Sequence, residues 1–389
     1  MRLPRFPLFV LLGLLLSCLA ERVSGARLSV APLLALTVPG WLLLTVGLAA
    51  RLAWQRRRLA LLPLAALALA WPQLQRGLPL HLVPGARSLV PGPNKESASP
   101  SSKNQQQETR NKKQETLRLL SANVRIFNVY AHLRRADSTA PRRFIAWLAA
   151  SPADVLCLQE FYQEPAGTQT RDGTLFRVGE RLGRGSGRQG FVSKTLTNGA
   201  GAEFGLAIFS RLPIVGRGEI SFGRLSQNHA MWVDVAGPGP HDTVRVFNAH
   251  LQSMSLDEAD LVAAGTTRAG LEGKGRGLLR RFVRGAAARA WQADTLVARI
   301  ARSPYPVLLA ADLNDLPYSY SYSALAGPLQ NAWATVGFGP GNTYHGRLPP
   351  LLRIDHQFAD PAWQVLGCRV HDEIPYSDHF PVEGVYGLR

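Results

Sequence analysis

Apolar residues run almost unbroken through much of the first 90 positions, in three stretches at about 6–20, 30–50 and 59–71. A helix needs about 20 apolar residues to cross the hydrocarbon core of a bilayer, so the second stretch is long enough and the other two are near the lower limit. Pro39-Gly40 interrupts the second stretch and Pro63 the third, which a helix in lipid can tolerate. The pattern predicts a membrane region over residues 1–90 with about three transmembrane helices.

Arginine is distributed unevenly around these stretches. Residues 51–58 contain four Arg and the N-terminus contains Arg2 and Arg5, whereas the segment between the first two stretches has two Arg beside one Glu. Because Lys and Arg favour the cytoplasmic side, three crossings place the C-terminal domain outside the cytoplasm. The sequence therefore predicts a multi-pass protein of the cell membrane with an extracytoplasmic domain. An alternative treats residues 1–20 as a signal peptide with a weak lipidation box, and it places the domain on the same side.

The character of the chain changes twice after the apolar region. Residues 91–116 are rich in Pro, Asn, Lys, Glu, Ser and Gln, and such a segment cannot bury enough apolar surface to offset its chain entropy, so we expect a flexible linker. In residues 117–389 short apolar runs recur, with one long helical tract at about 276–302. Many strands with few long helices suit two packed sheets flanked by helices. Strands are predicted at 116–124, 155–159, 192–194, 205–210, 231–235, 244–249, 307–311, 354–358 and 381–386, with a short helix at 142–150.

The formal net charge of +17 is concentrated in the apolar region. The first 90 residues contain ten Arg and one acidic residue, and residues 91–117 contain five basic and three acidic residues, which leaves about +6 for the C-terminal domain. The basic character is therefore not by itself an indication of a nucleic-acid partner. The three Cys residues suggest neither a disulfide framework nor a thiolate zinc site.

Polar residues able to act on phosphate esters accompany apolar runs at six places. Hydrolysis of such esters requires groups that neutralise the equatorial oxygens, orient and deprotonate water, and stabilise the leaving oxygen. Open α/β sheets present ligand-binding groups at their strand ends. The six segments are, in chain order, Ser121-Ala122-Asn123-Val124, Leu158-Gln159-Glu160, Asn248-Ala249-His250-Leu251, Ala311-Asp312-Leu313-Asn314-Asp315, Arg353-Ile354-Asp355-His356 and Ser377-Asp378-His379-Phe380-Pro381-Val382.

In identity and order these segments resemble those of the endonuclease/exonuclease/phosphatase superfamily, which includes deoxyribonuclease-type enzymes, apurinic endonucleases, sphingomyelinases and inositol polyphosphate 5-phosphatases. The likeness covers residues 117–389 and looks closest to the membrane-anchored bacterial members. It implies an α/β fold of four layers, in which two packed mixed β-sheets are flanked by helices. Two features depart from the usual pattern: Ala311 stands where Gly is usual, and the first segment has Ala122-Asn123 where many nucleases carry an aromatic residue. Neither departure removes a catalytic group, but both weaken inference about the substrate.

A divalent metal site is expected at Glu160, Asn123 and Asp378. Glu160 ends an apolar strand, which suits a hard oxygen ligand for Mg²⁺ or Mn²⁺. The resemblance implies that Asn123 helps to organise the metal and the phosphate, and that Asp378 lies beside the metal. Taken alone, a Glu at this position is a solvated charge and an Asn is a turn cap.

The catalytic residues are expected to be Asp312, Asn314, His250, Asp355 and His379. Asp312 and Asn314 alternate along a strand end, so they point to the same side of the sheet. The resemblance implies that these two activate water and donate hydrogen bonds to a phosphoryl oxygen. It identifies His379 as the imidazole that contacts the scissile phosphate and Asp355 as its partner, since an imidazole needs a second partner to fix its tautomer. His250 resembles the second phosphate-contacting imidazole.

These residues predict a membrane-anchored hydrolase of phosphate esters, either a phosphodiesterase or a phosphatase, with Mg²⁺ or Mn²⁺ as cofactor. Small esters or lipid head groups are favoured over duplex DNA, because the domain has a modest charge. A DNA endonuclease or exonuclease is the alternative, and it would need a basic groove with stacking aromatic residues. A non-catalytic membrane scaffold on the same fold is disfavoured, because Glu160, Asp312 and His379 are all present. The groove could come from Arg268, Lys274, Arg276, Arg280, Arg281, Arg284, Arg289, Tyr318, Tyr320 and Tyr322.

Overall fold

The structure is a computed structural model, and it describes residues 5–81, 116–137, 139–168, 174–223, 228–237, 243–253, 268–346 and 352–389. The predicted linker at 91–116 lies outside these ranges except for its last residue. The helices are α1 (Arg5–Ala20), α2 (Ala31–Leu36), α3 (Val38–Trp54), α4 (Leu61–Leu69), α5 (Trp71–Gly77), α6 (Val129–Leu133), α7 (Ala140–Ala150), α8 (Val178–Leu182), α9 (Arg268–Ile300), α10 (Tyr320–Ala326) and α11 (Ala332–Val336). The strands are β1 (Thr116–Asn123), β2 (Val155–Gln163), β3 (Gln189–Thr197), β4 (Glu203–Ser210), β5 (Ile214–Ser221), β6 (His229–Val235), β7 (Val244–His250), β8 (Val307–Asp312), β9 (Gln330–Asn331), β10 (Asp355–Ala359), β11 (Trp363–Val370) and β12 (Val382–Leu388).

The apolar stretches at the N-terminus form helices that are shorter than expected. α1 has 16 residues and α3 has 17. The second stretch is divided at Thr37 and the third at Ala70, and in each case a proline lies in the first turn of the helix that follows. Proline has no backbone N–H to donate, so it begins a helix more readily than it continues one.

Among the described residues, no helix combines the length and the apolar character that a membrane crossing requires. The structure therefore does not support the prediction of three transmembrane helices.

In the part of the chain that the structure describes, twelve strands form two six-stranded mixed sheets. The strand order is β11-β12-β1-β2-β4-β3 in the first sheet and β5-β6-β7-β8-β10-β9 in the second. Each sheet has one parallel pair near its centre, β1 with β2 and β7 with β8, and its other pairs are antiparallel. The predicted architecture of two packed mixed sheets with flanking helices is confirmed.

Alternation along the central strands explains the layers. Neighbouring residues of a strand point to opposite faces of the sheet. Leu119 of β1 and Leu308 of β8 pack in the core between the two sheets, whereas Leu120 packs with α7 and Leu309 packs with α9 on the outer faces. Strands that are buried on both faces are mainly apolar, and this made them predictable from the sequence.

Three strands, β5, β9 and β11, had no predicted bounds: β5 and β11 lack a long apolar run, and β9 has only two residues. β5 is an edge strand in which exposed and half-buried residues alternate, and it contains Gly216 and Gly218. A Cβ on Gly218 would lie 2.6 Å from the indole of Trp232, so the neighbouring strand selects glycine there. β11 is an edge strand beside β12, and its apolar residues are interrupted by Gln364, Gly367 and Arg369.

Buried amides connect the two sheets. Gln159 Nε2 donates to Asn248 Oδ1 at 2.7 Å, and Gln357 Nε2 donates to the carbonyls of Leu119 and Val382 at 3.1 and 2.8 Å. A satisfied buried polar network specifies one packing arrangement, because any shift leaves polar groups unpaired. The two sheets are therefore held in one relative register.

Residues 5–81 form an N-terminal helical module that packs against the two-sheet domain. Arg76 Nη1 donates to Ser323 Oγ at 3.0 Å, and the backbone N–H of Gly339 donates to the carbonyl of Pro79 at 2.9 Å. Leu80 forms an antiparallel bridge with Phe338. The module is thus joined to the domain by α5 and the residues that follow it.

Candidate active site

Polar side chains from four strands meet at one edge of the two sheets. Asn123 is the last residue of β1, His250 of β7 and Asp312 of β8, while Asp355 is the first residue of β10. In the second sheet His250 pairs with Asp312, which in turn pairs with Asp355. Because a parallel pair ends at one edge and β10 begins at that same edge, these side chains share one crevice.

Glu160 reaches the crevice from a bulge. β2 continues to Gln163, and its pairing with β4 shifts between Leu158 and Phe161. Glu160 has a φ of 49°, in the left-handed region. A bulge re-aims a side chain, and unusual backbone conformations are concentrated at functional sites. The prediction that Glu160 ends its strand is therefore wrong, although its carboxylate does reach the crevice.

Asn123 connects the candidate metal ligands to the candidate catalytic residues. Its Nδ2 donates to Glu160 Oε1 at 3.1 Å and to Asp312 Oδ2 at 2.9 Å. Its Oδ1 accepts from the backbone N–H of Arg125 at 3.0 Å, so all three contacts fix the orientation of one buried amide. Asn123 thereby holds together two carboxylates that would otherwise repel each other.

His379 and Asp355 form a buried pair beside this amide. His379 Nδ1 donates to Asp355 Oδ2 at 2.9 Å. Burial by itself lowers the pKa of His379, but the negative charges of Asp355 and Asp312 raise it to about 10. Burial also raises the pKa of Asp355, against the opposing charge of His379. Because Nδ1 is committed to Asp355, Nε2 is the nitrogen able to donate to a substrate oxygen.

His250 faces the carboxylates of Glu160 and Asp312. Its Nε2 lies 3.9 Å from Glu160 Oε1 and 3.7 Å from Asp312 Oδ2, beyond hydrogen-bond distance. This nitrogen is buried and has no hydrogen-bond partner among the described residues. A buried ring nitrogen left unpaired beside carboxylates is a feature of ligand-binding positions.

Asn314 lies beyond β8, which ends at Asp312. Asn314 has a φ of 49°, and its backbone N–H donates to Asp312 Oδ1 at 2.8 Å. Its Nδ2 donates to the carbonyl of Leu251 at 3.1 Å. The predicted alternation of Asp312 and Asn314 along a strand is therefore wrong. Asn314 instead closes an Asx turn that fixes the Asp312 carboxylate and ties the end of β8 to the end of β7.

Asp378 lies in a loop that is tied to the end of β1. Ser377 Oγ donates to the carbonyl of Asn123 at 2.8 Å, and Asp378 Oδ2 lies 3.3 Å from Arg125 Nη1. Arg125 begins four consecutive non-glycine residues with φ between 44° and 51°. Strained backbone of this kind persists where the surrounding structure enforces it, often at ligand sites. Sequence reasoning missed Arg125, and its position two residues after Asn123 was the available signal.

Helix α9 supports the strand ends from behind the crevice. Arg289 is fully buried, with Nε donating to Asp315 Oδ2 at 2.9 Å and Nη1 donating to the carbonyl of Gln252 at 3.1 Å. Gln292 Oε1 accepts from the backbone N–H of Gln252 at 2.8 Å. Arg289 is thus occupied by the protein itself and is not part of a basic groove.

The predicted aromatic platform for nucleic acid is not formed by its three tyrosines. Tyr322 is buried in the core beneath β10, and Tyr318 packs among the side chains of the N-terminal helical module. Tyr320 is partly buried and donates its hydroxyl to Asp294 at 2.9 Å. Arg276, Arg280, Arg281 and Arg284 are exposed on α9, and the side chains of Arg268 and Lys274 lie outside the described part of the chain.

The oxygen donors of the crevice suit a hard divalent cation. Asp312, Asp355 and His379 bring one potential ligand atom each within 4.8 Å of one another. However, His379 Nδ1 already donates a hydrogen bond to Asp355. A shared proton, and not a metal ion, therefore holds these side chains together. The carboxylates of Glu160 and Asp378 are 38% and 20% exposed, and these oxygens could hold Mg²⁺ or Mn²⁺.

Two protein-family models match different parts of the chain. A model described as the Endonuclease/Exonuclease/phosphatase family matches residues 120–379. A second model, described as a domain of unknown function, matches residues 5–77. No curated protein matches the chain.

Solved structures are similar to this chain over about 70% of its length. An endonuclease/exonuclease/phosphatase from Bacteroides vulgatus is 15% identical, with 71% of this chain and 100% of that chain covered and a TM-score of 0.51. One from Beutenbergia cavernae is 22% identical, with 70% and 72% covered and a TM-score of 0.48. A mannosyl-6-phosphatase from Bacteroides thetaiotaomicron is 17% identical, with 70% and 100% covered and a TM-score of 0.48. At 15% identity the Bacteroides vulgatus structure supports the fold alone.

Proposed function

This chain belongs to the endonuclease/exonuclease/phosphatase family, whose members are phosphoric ester hydrolases, and we propose that it hydrolyses small phosphate esters or lipid head groups with Mg²⁺ or Mn²⁺. The observation that carries the proposal is the convergence of Glu160, Asn123, Asp312 and the His379–Asp355 pair in one crevice. This constellation provides a base, a charged donor and oxygen ligands within one site.

Asp312 is the group best placed to orient and deprotonate a water molecule. Its Oδ1 is fixed by the backbone of Asn314 and its Oδ2 by the amide of Asn123. Its carboxylate therefore cannot turn away from an attacking water. His379, kept protonated by Asp355, is suited to donate from Nε2 to a phosphoryl or leaving oxygen.

A divalent cation held by Glu160, Asp378 and Asn123 would neutralise phosphoryl charge in such a site. His250, whose Nε2 has no hydrogen-bond partner in the described part of the chain, and the exposed guanidinium of Arg125 are positioned to contact other oxygens of the same group. All of these contacts are made to the phosphoryl group, so the rest of the substrate lies outside the crevice. A compact phosphate monoester or diester is therefore sufficient for recognition.

The preference for small substrates over duplex DNA rests on charge and on the tyrosines. Affinity for nucleic acid scales with the number of phosphates neutralised, and the domain carries only about +6. Tyr318 and Tyr322 are engaged in packing, and Arg289 is paired with Asp315. The exposed Arg residues of α9 are the observation that favours a DNA nuclease as second candidate.

Attachment to a membrane remains part of the proposal. The N-terminal helical module exposes many large apolar side chains, among them Phe6, Leu43, Trp54 and Leu69. Its acidic residue, Glu21, is fully buried. An apolar surface of this extent, with exposed Arg near Trp54, suits a bilayer interface. The domain is proposed to be extracytoplasmic, and a reporter fused after Arg389 that works only in the cytoplasm would contradict this.

The enzymatic proposal is tested with the full-length chain, purified in detergent. It is assayed with Mg²⁺ or Mn²⁺ against small phosphate monoesters and diesters, phospholipids, RNA and plasmid DNA. Asp312→Asn and His379→Ala serve as inactive controls for contaminating hydrolases. Turnover of small esters or phospholipid that both variants abolish supports the proposal. Efficient nicking of plasmid at physiological salt without turnover of the other substrates would replace it with the nuclease function.

A further inference from the structure

Arg353 is a buried cation that the proposed reaction does not use. It is 2% exposed and precedes Ile354-Asp355 in the chain. Among the described residues it forms no ion pair with a carboxylate, and its Nε has no hydrogen-bond partner. Its Nη1 donates to the carbonyl of Pro340 at 2.5 Å, and its Nη2 donates to the carbonyl of Arg76. Burying a guanidinium costs free energy unless its donors are satisfied, so these two carbonyls hold Arg353 in place.

The first of these carbonyls belongs to a segment that lies over the catalytic pair, residues 338–345, which we call the strap. Thr343 Oγ1 accepts from the backbone N–H groups of Ile354 and Asp355, both at 3.1 Å. The Tyr344 ring stands edge-on to the His379 ring, with centroids 5.0 Å apart. The backbone N–H of Phe380 donates to the carbonyl of Thr343 at 2.7 Å. The strap therefore contacts both members of the His379–Asp355 pair.

The second carbonyl belongs to the end of α5 in the N-terminal helical module. The residues after it run along the strap, where Leu80 bridges to Phe338 and the carbonyl of Pro79 accepts from Gly339. His81 Nε2 lies 2.9 Å from the carbonyl of Ala334, on the helix just before the strap. One guanidinium thus joins α5 to the strap, two residues from Asp355.

We infer that the N-terminal helical module is part of the catalytic unit, and that α5 positions Asp355 and His379 through Arg353 and the strap. The inference rests on the proposed function, since it assigns a positioning role toward the proposed catalytic pair. Asp355 and His379 touch the reacting groups, whereas Arg353 and α5 act through them. The module then does more than attach the domain to a surface, because the geometry of the crevice depends on its docking.

Gly77 offers a way to disturb this contact from the module side. It is the last residue of α5, and a Cβ there would lie 1.6 Å from the hydroxyl oxygen of Tyr318. Gly77→Val in the full-length chain must therefore displace either α5 or the Tyr318 ring, and either movement disturbs the packing of α5 against the domain. Gly47→Val on α3 is the matched control, because no atom lies within 4 Å of a Cβ at that position.

Two readouts separate positioning from general destabilisation. For Gly77→Val we expect kcat to fall about 10-fold to 100-fold with KM little changed, since small misplacements of catalytic groups act mainly on turnover. Hydrogen exchange of the Gly339 amide in the strap, and of the Phe380 amide that donates to the strap carbonyl of Thr343, should become faster. Arg353→Gln should lower kcat similarly, and the double variant should lose little more, because both changes break one linkage.

The outcomes distinguish the inference from the function on which it rests. An active wild-type enzyme whose Gly77→Val variant keeps full kcat and slow strap exchange would overturn the inference. Additive losses in the double variant, or an equal loss in Gly47→Val, would also overturn it. A wild-type chain without hydrolytic activity on any substrate class would instead overturn the proposed function. If Gly77→Val does not fold, Gly77→Ala is subjected to the same two measurements, with faster strap exchange and lower kcat expected.

Discussion

His379 Nδ1 donates to Asp355 Oδ2 at 2.9 Å, and the two side chains are buried together beneath Tyr344. The two residues come from different parts of the sheet system, the start of β10 and the loop before β12. A buried imidazole with one nitrogen bound to a carboxylate has a fixed tautomer and a single donor left for chemistry.

Asp355→Asn should reduce kcat by about 10²-fold to 10⁴-fold, the range in which general acid–base groups contribute. The amide keeps the shape of the side chain but removes the charge that keeps His379 protonated. Steady-state kinetics with circular dichroism would check this. Asp372→Asn, on an exposed turn of the same domain, is the control and should behave as wild type. Equal turnover of Asp355→Asn and wild type would contradict the assignment.

The stability of the chelator-treated protein should depend on the titration of His379. Its pKa is about 10 in the folded protein and about 6.5 when unperturbed. The folded state therefore holds a proton that the unfolded state releases between these values, and the free energy of unfolding should fall as pH rises from about 6.5 to 10. Denaturant titrations at several pH values measure this slope, and Asp355→Asn should flatten it. A slope that is unchanged in the variant would exclude the His379–Asp355 interaction as its source.

Hydrolysis should stop when divalent metal is removed and return when Mg²⁺ or Mn²⁺ is restored. Glu160→Gln should raise the metal concentration needed for half-maximal activity by at least about 10-fold, because it removes a charged oxygen ligand. Calorimetric titration with Mn²⁺ gives a second measure that does not depend on activity. Glu219→Gln on the edge strand β5 is the control. Full turnover in excess chelator would be incompatible with this prediction.

Asp312→Asn should lower kcat by about 10²-fold to 10⁴-fold, the usual contribution of a general base. The substituted amide can no longer deprotonate water, and it places an NH₂ group or an oxygen against the Asn123 amide. Thermal unfolding would show whether the domain remains folded. Loss of activity with loss of the fold would reassign Asp312 to a structural role.

Arg125→Ala should raise KM for a phosphate monoester by about 10-fold, since a charge-assisted hydrogen bond contributes about 1.5–3 kcal/mol. Arg125→Lys should recover part of this loss, because it keeps the charge without the planar fork. Arg177→Ala, at a partly exposed Arg paired with Glu180, is the control. A KM that is unaffected by Arg125→Ala would remove this residue from the substrate site.

Much of the two-sheet domain was predictable from local pattern. The central strands are apolar on both faces, so β1, β7 and β8 could be read directly from the sequence. The edge strand β5 could not, because its residues are half-exposed and its glycines are selected by a neighbouring strand. At the N-terminus composition predicted three transmembrane helices, which the structure does not support in the described residues, and the helix boundaries at Thr37 and Ala70 depend on local backbone geometry.

The sequence by itself determined the fold class and the chemical groups of the crevice, because periodicity encodes which faces are buried and six short segments carry the reactive side chains. Tertiary structure alone decided how those groups are used. The bulge at Glu160 arises where β2 pairs with β4, Asn314 is tied to Leu251 at the end of β7, and the left-handed turn that begins at Arg125 is tied through Asn128 to the carbonyl of Tyr376. The bond from Arg353 to Arg76 joins residues 277 positions apart. No local pattern can encode such contacts, since their free energy exists only when both partners are brought together by the whole fold.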